Sequence, residues 1–423
     1  MLLSKNLLTE TQTAAVDRLF EEDATLLVAG TGVGKTAIAL TAIAELIEAK
    51  HLKSVIVVAP AKVVEQKVWG REAVKWEHLN HLRVVSLVGN AQEREALIDE
   101  SAEVHIVSLN NLAWLLERGT KWADGVVVDE LSKAAGKQAR GLRGKKKAGH
   151  LIFRVGLTAT PVAQDFLKLF DMARILDGGT ALGTNKSVFT DAYFESDFMG
   201  YNITIRPGAA EMILHKMRGL VHVVDVDKAD TLPPIKFKVL GFGMPAKTLE
   251  IYDEMKSELI VGDVVAANAA VMHGKLRQIA SGFAYDEVGE VVRYDTARED
   301  ALRKLLLRCP PALVFYEYVE QGVQVERAIA DTGSRAAQIN SMSHGVDGLQ
   351  HEFSHVVFYH PVWSRDAWEQ AYGRVWRTGQ TSPVTVTTLM CDASLDDVVV
   401  ARVEGRGEWM ELFTTHLQGV NHD

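Results

Sequence analysis

The chain has 423 residues, 47% of them hydrophobic and 24% charged, which excludes a disordered protein and indicates a globular chain of two or three domains. No apolar run approaches the roughly 18 residues of a membrane span, and residues 1–10 lack the apolar core of a signal peptide, so we expect a cytoplasmic protein without a membrane partner. The formal net charge of -9 excludes a protein that coats nucleic acid through overall positive charge, so any DNA site must be local.

Apolar runs alternate with helical patterns through the first part of the chain. Residues 24–30, rich in Leu and Val, predict a buried strand, and residues 36–49 predict a helix with Ala and Leu on one face. Further buried strands are predicted at 54–59, 104–108, 125–128 and 154–157. The alternation predicts an α/β lobe whose parallel sheet is covered by helices.

The rest of the chain predicts a helical extension and a second lobe. From about residue 166 to 226 the pattern is mainly helical with Gly and Asn breaks, and Leu-Pro-Pro at 232–234 interrupts it. Helical patterns resume at 248–281. Short apolar runs beyond them predict strands of a second sheet at 312–315, 356–359 and 384–389. We therefore predict a first lobe at 1–235, with its helical extension, and a second lobe at 236–423.

A glycine-rich segment between the first strand and its helix carries the strongest chemical signal. It reads AGTGVGKT and fits the phosphate-loop pattern GxxxxGK[ST], except that alanine replaces the first glycine. Its glycines allow backbone amides to face phosphates at a helix N-terminus. We predict that Lys35 binds the β- and γ-phosphates of ATP and acts in catalysis, and that Thr36 binds Mg²⁺. The predicted cofactor-binding residues of the loop are Ala29, Gly30, Thr31, Gly32, Val33, Gly34, Lys35 and Thr36.

An acidic pair, Asp129 and Glu130, follows a predicted buried strand of the same lobe. Ligands gather at the carboxyl ends of strands in open parallel sheets. Phosphoryl transfer to water needs a carboxylate for the Mg²⁺ shell and a second group that orients or deprotonates the water. We therefore predict that Asp129 belongs to the cofactor and metal site, and that Glu130 is the catalytic residue that acts on water.

Two arginines near the end of the chain are candidates for charge stabilisation. The segment QAYGRVWRTGQ at 370–380 places Arg374 and Arg377 three residues apart, hence on one face of a helix. Guanidinium groups supplied by a second lobe can stabilise the charge on a transferring phosphoryl group. We predict that both are catalytic arginine fingers, although surface arginines would be the favoured interpretation without the phosphate loop.

Three other features are weaker. Gln12 precedes the loop, and its carboxamide can make the paired hydrogen bonds that an adenine edge offers. Arg143 and Lys145 belong to the densest basic stretch and could meet DNA phosphates, with a solvated loop as an equal alternative. Trp69 and Trp76 lie at helical spacing, which is more typical of packing than of base stacking.

The ordered series of motifs resembles the superfamily 2 helicases, and more narrowly the Swi/Snf type of ATP-dependent DNA translocase in its short bacteriophage-encoded forms. The resemblance rests on Gln12, the phosphate loop, DELSK at 129–133 and QAYGRVWRTGQ, together with five further segments. These are APAKVVEQKVWGREAVKW at 59–76, GLTATP at 156–161, LPP at 232–234, LRQIASG at 276–282 and SHGVDGLQ at 343–350. It covers almost the whole chain.

The resemblance implies two RecA-like lobes with ATP in the cleft between them and DNA crossing both. It implies that Gln12 holds adenine and that Arg374 and Arg377 reach the γ-phosphate. Members typically track along duplex DNA, so duplex or branched DNA is the implied partner, ATP and Mg²⁺ are the implied cofactors, and the host cytoplasm is the implied location of a viral form. The positions where the motifs touch DNA or couple it to ATP are Lys62, Ser108, Thr158 and Ser343.

The sequence departs from the family pattern at Ser132, Ala159 and Gln350, where relatives commonly have His, Gly and Asn. Only a short stretch separates Phe315 from Ser343, where relatives usually have another strand and helix, so we expect a shortened second lobe. The predicted function is a DNA-stimulated ATPase that moves on or remodels duplex or branched DNA, in replication, recombination or repair. The alternatives are a strand-separating DNA or RNA helicase and an ATP-binding DNA scaffold with little turnover.

Overall fold

The structure, a computed structural model, describes most of the chain as two compact units. The described residues are 2–30, 32–99, 101–134, 138–143, 148–159, 166–196, 203–224, 232–262, 264–265, 269–339, 348–377 and 379–400. The first unit lies within Met1–Val226 and the second within Asp227–Gly407. The predicted lobe boundary after residue 235 falls shortly after the start of the second unit.

The first unit contains a seven-stranded parallel sheet and a small hairpin. Its strands are β1 (Ala24–Ala29), β2 (Val55–Ala59), β3 (Val84–Ser86), β4 (Val104–Ser108), β5 (Gly125–Asp129), β6 (Phe153–Thr158), the antiparallel hairpin pair β7 (Phe194–Ser196) and β8 (Ile203–Ile205), and β9 (Val221–Val224). The order across the large sheet is β3-β4-β2-β5-β6-β1-β9, and every neighbouring pair is parallel.

Helices cover this sheet. Their bounds are Glu10–Glu21, Lys35–Glu48, Ala61–Glu65, Val68–Ala73, Ala91–Leu97, Leu112–Arg118, Leu131–Ala134, Leu167–Leu176, Lys186–Tyr193 and Ala209–Met217, with 3-10 turns at Lys5–Leu7, Glu77–Leu79, Leu109–Asn111 and Gln138–Arg143. In the parts of the chain that the structure describes, no helix combines the length and apolar character that a membrane crossing needs.

Both faces of the first sheet are buried because alternate side chains of each strand enter different cores. Leu26 and Val28 of β1 belong to one core, and Leu27 and Ala29 belong to the other, which also receives the apolar side of the helix Lys35–Glu48. A strand buried on both faces is a continuous apolar run, which explains why the sequence predicts these strands closely.

The second unit contains a five-stranded parallel sheet and two antiparallel hairpins. Its strands are β10 (Ile235–Phe242), β11 (Ile260–Val261), β12 (Val264–Val265), β13 (Phe283–Tyr285), β14 (Val291–Arg293), β15 (Ala312–Tyr316), β16 (Arg335–Gln338), β17 (His355–Phe358) and β18 (Val384–Cys391). The large sheet has the order β10-β18-β17-β15-β16, all parallel, and β11–β12 and β13–β14 are the hairpins. The helices are Ala246–Glu258, Ala269–Ile279, Ala297–Leu306, Val319–Ile329, Leu349–Glu352 and Arg365–Tyr372.

The predicted α/β class, with a parallel sheet in each lobe, is confirmed. The expected loss of a strand and a helix after Phe315 is wrong, because the helix Val319–Ile329 and β16 occupy that stretch. The helix buries Gln321 and Gln324, which obscures its apolar periodicity. β16 reads Arg-Ala-Ala-Gln and contains none of the β-branched or aromatic residues that mark a strand.

Candidate nucleotide-binding site

The glycine-rich loop lies between β1 and the helix Lys35–Glu48, as its pattern predicts. Gly32 and Gly34 both have a φ of +83°, a backbone conformation that residues with side chains rarely adopt. Gly34 is the N-cap of the helix, so the chain turns from this glycine directly into the first helical turn. The first amides of a helix have no acceptor within it and favour an anion. Thr31 lies outside the described residues.

The Lys35 side chain folds back over the loop. Its Nζ donates to the carbonyl oxygens of Ala29 at 2.7 Å and of Gly30 at 3.0 Å. Thr36, the next residue of the helix, is partly buried. A lysine held by backbone carbonyls at this edge of the sheet is placed to exchange them for phosphate oxygens.

β5 ends on Asp129, a partly buried residue of the acidic pair. Loss of hydration on burial is the largest effect on the pKa of Asp129, followed by the negative charge of Glu130, and together they raise this pKa to about 6. The charge of Lys35 and the hydrogen bond from the Trp69 N–H oppose the rise. A cation beside the carboxylate would offset both of the raising effects. Carboxylate and hydroxyl oxygens are ligands that Mg²⁺ accepts, so Asp129 and Thr36 fit an ion that enters with phosphates. Over the described ranges, no group of three or more His, Cys, Asp or Glu residues could hold a metal on its own.

Glu130 forms the turn between β5 and the helix Leu131–Ala134. Its φ is +54°, which is uncommon for a residue with a side chain and is found disproportionately at functional sites. Its carbonyl oxygen accepts from the backbone N–H of Lys133 at 2.9 Å, and its carboxylate is ion-paired with the ammonium group of the same lysine. The carboxylate therefore has a defined position directly after Asp129.

The Gln12 carboxamide lies against the loop. Its Oε1 accepts from the backbone N–H of Thr9 at 2.9 Å, within a capping box, and its Nε2 donates to the carbonyl oxygen of Val33 at 2.8 Å. A carboxamide has two N–H donors and two acceptor lone pairs, so one of each remains after these two bonds. A paired contact with adenine requires one donor and one acceptor. The adenine contact itself stays a prediction.

Residues 9–168, which contain Gln12, the loop, the acidic pair and β6, match the family model described as DEAD/DEAH box helicase. This part of the chain is similar to DEAD/DEAH box helicase domains. The predicted resemblance to the superfamily 2 helicases is thus confirmed over these residues, and the match supports the general class of ATP-dependent nucleic-acid motors.

Two known proteins are similar along most of the chain. Protein p41 of the Acyrthosiphon pisum secondary endosymbiont phage 1 is 28% identical, over 88% of this chain and 90% of its own length. The Sulfolobus solfataricus SWI2/SNF2 ATPase core in complex with dsDNA is 16% identical and has a TM-score of 0.46, with 97% of this chain and 93% of that chain covered.

Three of the residues predicted to contact DNA or couple it to ATP lie at the carboxyl edge of the sheet in the first unit. Thr158 and Ser108 are the last residues of β6 and β4, and both are buried. Lys62 is exposed in the short helix after β2. The Thr158 hydroxyl donates to Oγ of Ser132 at 3.1 Å, and Ser132 lies in the helix that follows the acidic pair. Ser343 lies outside the described residues.

The basic stretch of the first unit is described only in part. Lys145 lies outside the described residues. The guanidinium group of Arg143 is 2.9 Å from Oδ1 of Asp171, and Oδ2 of the same carboxylate accepts from Lys186 Nζ at 2.8 Å. The Arg143 side chain is only 19% exposed, so a contact with DNA through this group would require the ion pair to open.

In the second unit, the helix Arg365–Tyr372 ends before both candidate arginine fingers. Arg374 and Arg377 lie in the turns that follow, so the predicted single helix face is wrong. Gly373, a poor helix former, is the C-cap, and Val375 is fully buried in the core of the second sheet, which directs the chain inward between the two arginines. Both arginines are partly buried, and their catalytic role stays a prediction.

The sequence does not predict two polar arrangements. The indole of Trp69, which packs in the core as expected, also donates from Nε1 to Oδ2 of Asp129 at 3.4 Å. In the second unit, Arg277, Glu317 and His360 form a hydrogen-bonded cluster. The only sequence signal for either is that Trp69 and Arg277 fall within segments that resemble family motifs.

Proposed function

We propose that this chain is an ATP-dependent DNA translocase of the Swi/Snf type, which hydrolyses ATP to move on or remodel duplex or branched DNA. The observation that carries the proposal is the convergence of Lys35, Asp129 and Glu130 at one sheet edge of a helicase domain. These are the group types that phosphoryl transfer to water needs. The narrower Swi/Snf assignment is supported by the order of motifs along the whole sequence.

In this proposal the helicase domain binds and positions ATP. The loop amides and Lys35 bind the β- and γ-phosphates, and the free N–H and lone pair of Gln12 face adenine. When Mg²⁺ is bound, it offsets negative charge on the phosphate oxygens, and Asp129 and Thr36 would hold it. Glu130 orients or deprotonates the attacking water.

The second unit completes the proposed cycle. Arg374 and Arg377 act as arginine fingers that stabilise charge on the transferring phosphoryl group, so hydrolysis depends on the second unit as well as on the first. Lys62 and Ser343 belong to contacts with the DNA backbone, which carry no sequence information and therefore suit a motor that steps along any sequence.

ATP turnover tests the catalytic assignment. In a DNA-stimulated ATPase assay, Lys35→Ala and Glu130→Gln should each abolish turnover, whereas Arg377→Ala should leave nucleotide binding largely intact and slow hydrolysis. Lys216→Ala and Glu21→Gln make the same chemical changes at exposed helical positions and should resemble the wild type. Retained turnover in either of the first two variants would contradict the assignment.

A panel of nucleic acids tests the substrate. Best stimulation by duplex, forked or branched DNA without strand separation supports the translocase. The DEAD/DEAH box match favours a second candidate, a strand-separating helicase, which best stimulation by single strands or RNA together with unwinding would support. Nucleotide binding without phosphate release on any substrate would contradict both and leave an ATP-binding scaffold.

A further inference from the structure

Trp69 is buried close to the helix that follows the phosphate loop and to Asp129 at the end of β5. It belongs to the short helix Val68–Ala73, which packs against the helix Lys35–Glu48. The side chain is 1% exposed and belongs to the core cluster that also contains Leu40 and Val57. Close packing of this kind holds a large ring in one orientation.

The single polar atom of this ring points at the acidic pair. An indole has one N–H donor and no acceptor, and a buried indole N–H needs a partner. Trp69 Nε1 donates to Oδ2 of Asp129, with 3.4 Å between the two atoms. The buried indole of Trp69 therefore contacts the Asp129 carboxylate through Oδ2.

We propose that Trp69 is a positioning residue of the metal site, which fixes the Asp129 carboxylate so that one oxygen is presented to Mg²⁺. The inference rests on the proposed function, because Mg²⁺ is expected to enter with the nucleotide. Partners that orient a metal-ligating carboxylate are worth about 10- to 100-fold in metal affinity, although they never touch the metal. Loss of the N–H should therefore weaken Mg²⁺ binding while the nucleotide contacts of the loop persist.

Trp76 provides a matched control in the same segment. It is 7% exposed, and its Nε1 donates to Oε1 of Glu72 at 3.0 Å. Trp76→Phe thus removes the same kind of hydrogen bond, from a buried indole to a carboxylate. The described contacts of the Trp76 indole do not include Asp129. Any effect of general core damage should appear in both variants.

The test measures binding of the fluorescent nucleotide mant-ADP by anisotropy, to the full chain, in EDTA and over a range of Mg²⁺ concentrations. For Trp69→Phe we expect unchanged affinity in EDTA and a half-saturating Mg²⁺ concentration raised by about tenfold or more. Trp76→Phe should match the wild type in both measurements. An unchanged Mg²⁺ midpoint in Trp69→Phe, or an equal shift in both variants, would overturn the inference.

A second substitution and the wild-type binding result separate the possible outcomes of this test. If Trp69→Phe fails to fold, site-specific incorporation of 3-benzothienylalanine at position 69 keeps the ring shape and replaces the N–H by sulfur, and the same Mg²⁺ shift is expected. If the wild type binds mant-ADP and the shift is absent, the inference alone fails. If the wild type binds no nucleotide under any condition, the proposed function fails and the inference falls with it.

Discussion

The hydroxyl groups of Thr158 and Ser132 are hydrogen-bonded, with 3.1 Å between the two Oγ atoms. Thr158 ends β6, and Ser132 lies two residues after Glu130. The bond therefore connects a strand end that is predicted to couple DNA to ATP with the turn that carries the acidic pair.

Thr158→Val tests that connection, because valine keeps the shape and removes the hydroxyl. We expect stability to fall by about 1 kcal/mol, nucleotide affinity to stay near that of the wild type, and DNA stimulation of ATPase activity to fall more than basal activity. Thr25→Val is the control, since Thr25 of β1 is equally buried and its hydroxyl has no hydrogen-bond partner in the described part of the chain. Equal DNA stimulation in Thr158→Val and the wild type would show that the bond plays no part in coupling.

Both the backbone conformation of Gly34 and the neighbouring Gln12 side chain disfavour any side chain at position 34. Its φ is +83°, and a Cβ atom there would lie 2.8 Å from Nε2 of Gln12. Gly34→Ala should therefore cost roughly 1–2 kcal/mol for the backbone and displace the Gln12 carboxamide from the loop, which lowers nucleotide affinity. Gly183, with a φ of +84° and no atom within 4 Å of a Cβ, isolates the backbone cost.

Urea unfolding and nucleotide titration of Gly34→Ala and Gly183→Ala separate the two effects. Both variants should lose stability, and only Gly34→Ala should lose nucleotide affinity. Adding Gln12→Ala to Gly34→Ala removes the steric conflict and should recover part of the stability. Equal nucleotide affinity in Gly34→Ala and Gly183→Ala would show that the contact between Gly34 and Gln12 has no bearing on the site.

The fold could be predicted where side-chain chemistry is local and regular. The runs that form β1, β2, β4, β5 and β6 are mainly apolar because both faces of the sheet are buried, and the conformation of the phosphate loop depends on glycines at positive φ. The sequence does not predict β10, because it is an edge strand with exposed residues along almost its whole length, directly after Leu-Pro-Pro.

The sequence motifs predict which residues belong to the site, but not the contacts between them that depend on packing. That Lys35 and Asp129 belong together follows from strand ends in a parallel sheet, whereas the contact of Trp69 with Asp129 spans 60 positions and depends on how one helix packs. The spacing of the two arginines does not predict that the helix ends before Arg374, because Gly373 and the burial of Val375 outweigh a spacing that suits a helix.

A buried ion pair in the second unit leads to a prediction about stability. Arg298 and Asp396 are 1% and 2% exposed, and Nη2 is 2.5 Å from Oδ2. Asp396→Ala leaves the guanidinium group buried without its counter-charge and should destabilise the protein by about 3–5 kcal/mol. Glu352→Ala removes the partner of Arg335 from an ion pair whose side chains are about half exposed, and should cost no more than about 1 kcal/mol. Urea unfolding monitored by tryptophan fluorescence compares them, and similar midpoints would contradict the prediction.

The cluster of Arg277, Glu317 and His360 makes stability depend on pH. Arg277 Nη2 donates to Glu317 Oε2 at 3.0 Å and to His360 Nδ1 at 2.7 Å, and His360 Nε2 is 3.2 Å from the same carboxylate oxygen. Burial, followed by the charge of Arg277, lowers the pKa of His360, which favours the neutral ring with its proton on Nε2. Burial alone would raise the pKa of Glu317, but the hydrogen bond from His360 and the charge of Arg277 lower it to about 2.

The sign of the effect follows from the two pKa values of Glu317. Between the ordinary value of 4.5 and the folded value of about 2, the unfolded chain binds more protons than the folded chain, so the stabilisation is complete above pH 4.5 and is lost as the pH falls toward 2. Glu317→Gln lacks this contribution. The wild type should therefore exceed Glu317→Gln in melting temperature by a constant margin at pH 5–7, and the margin should shrink below pH 4.5. Thermal unfolding of both proteins across this range measures the margin, and a margin that grows on acidification would contradict the assignment of Glu317 as the ionised member of the cluster.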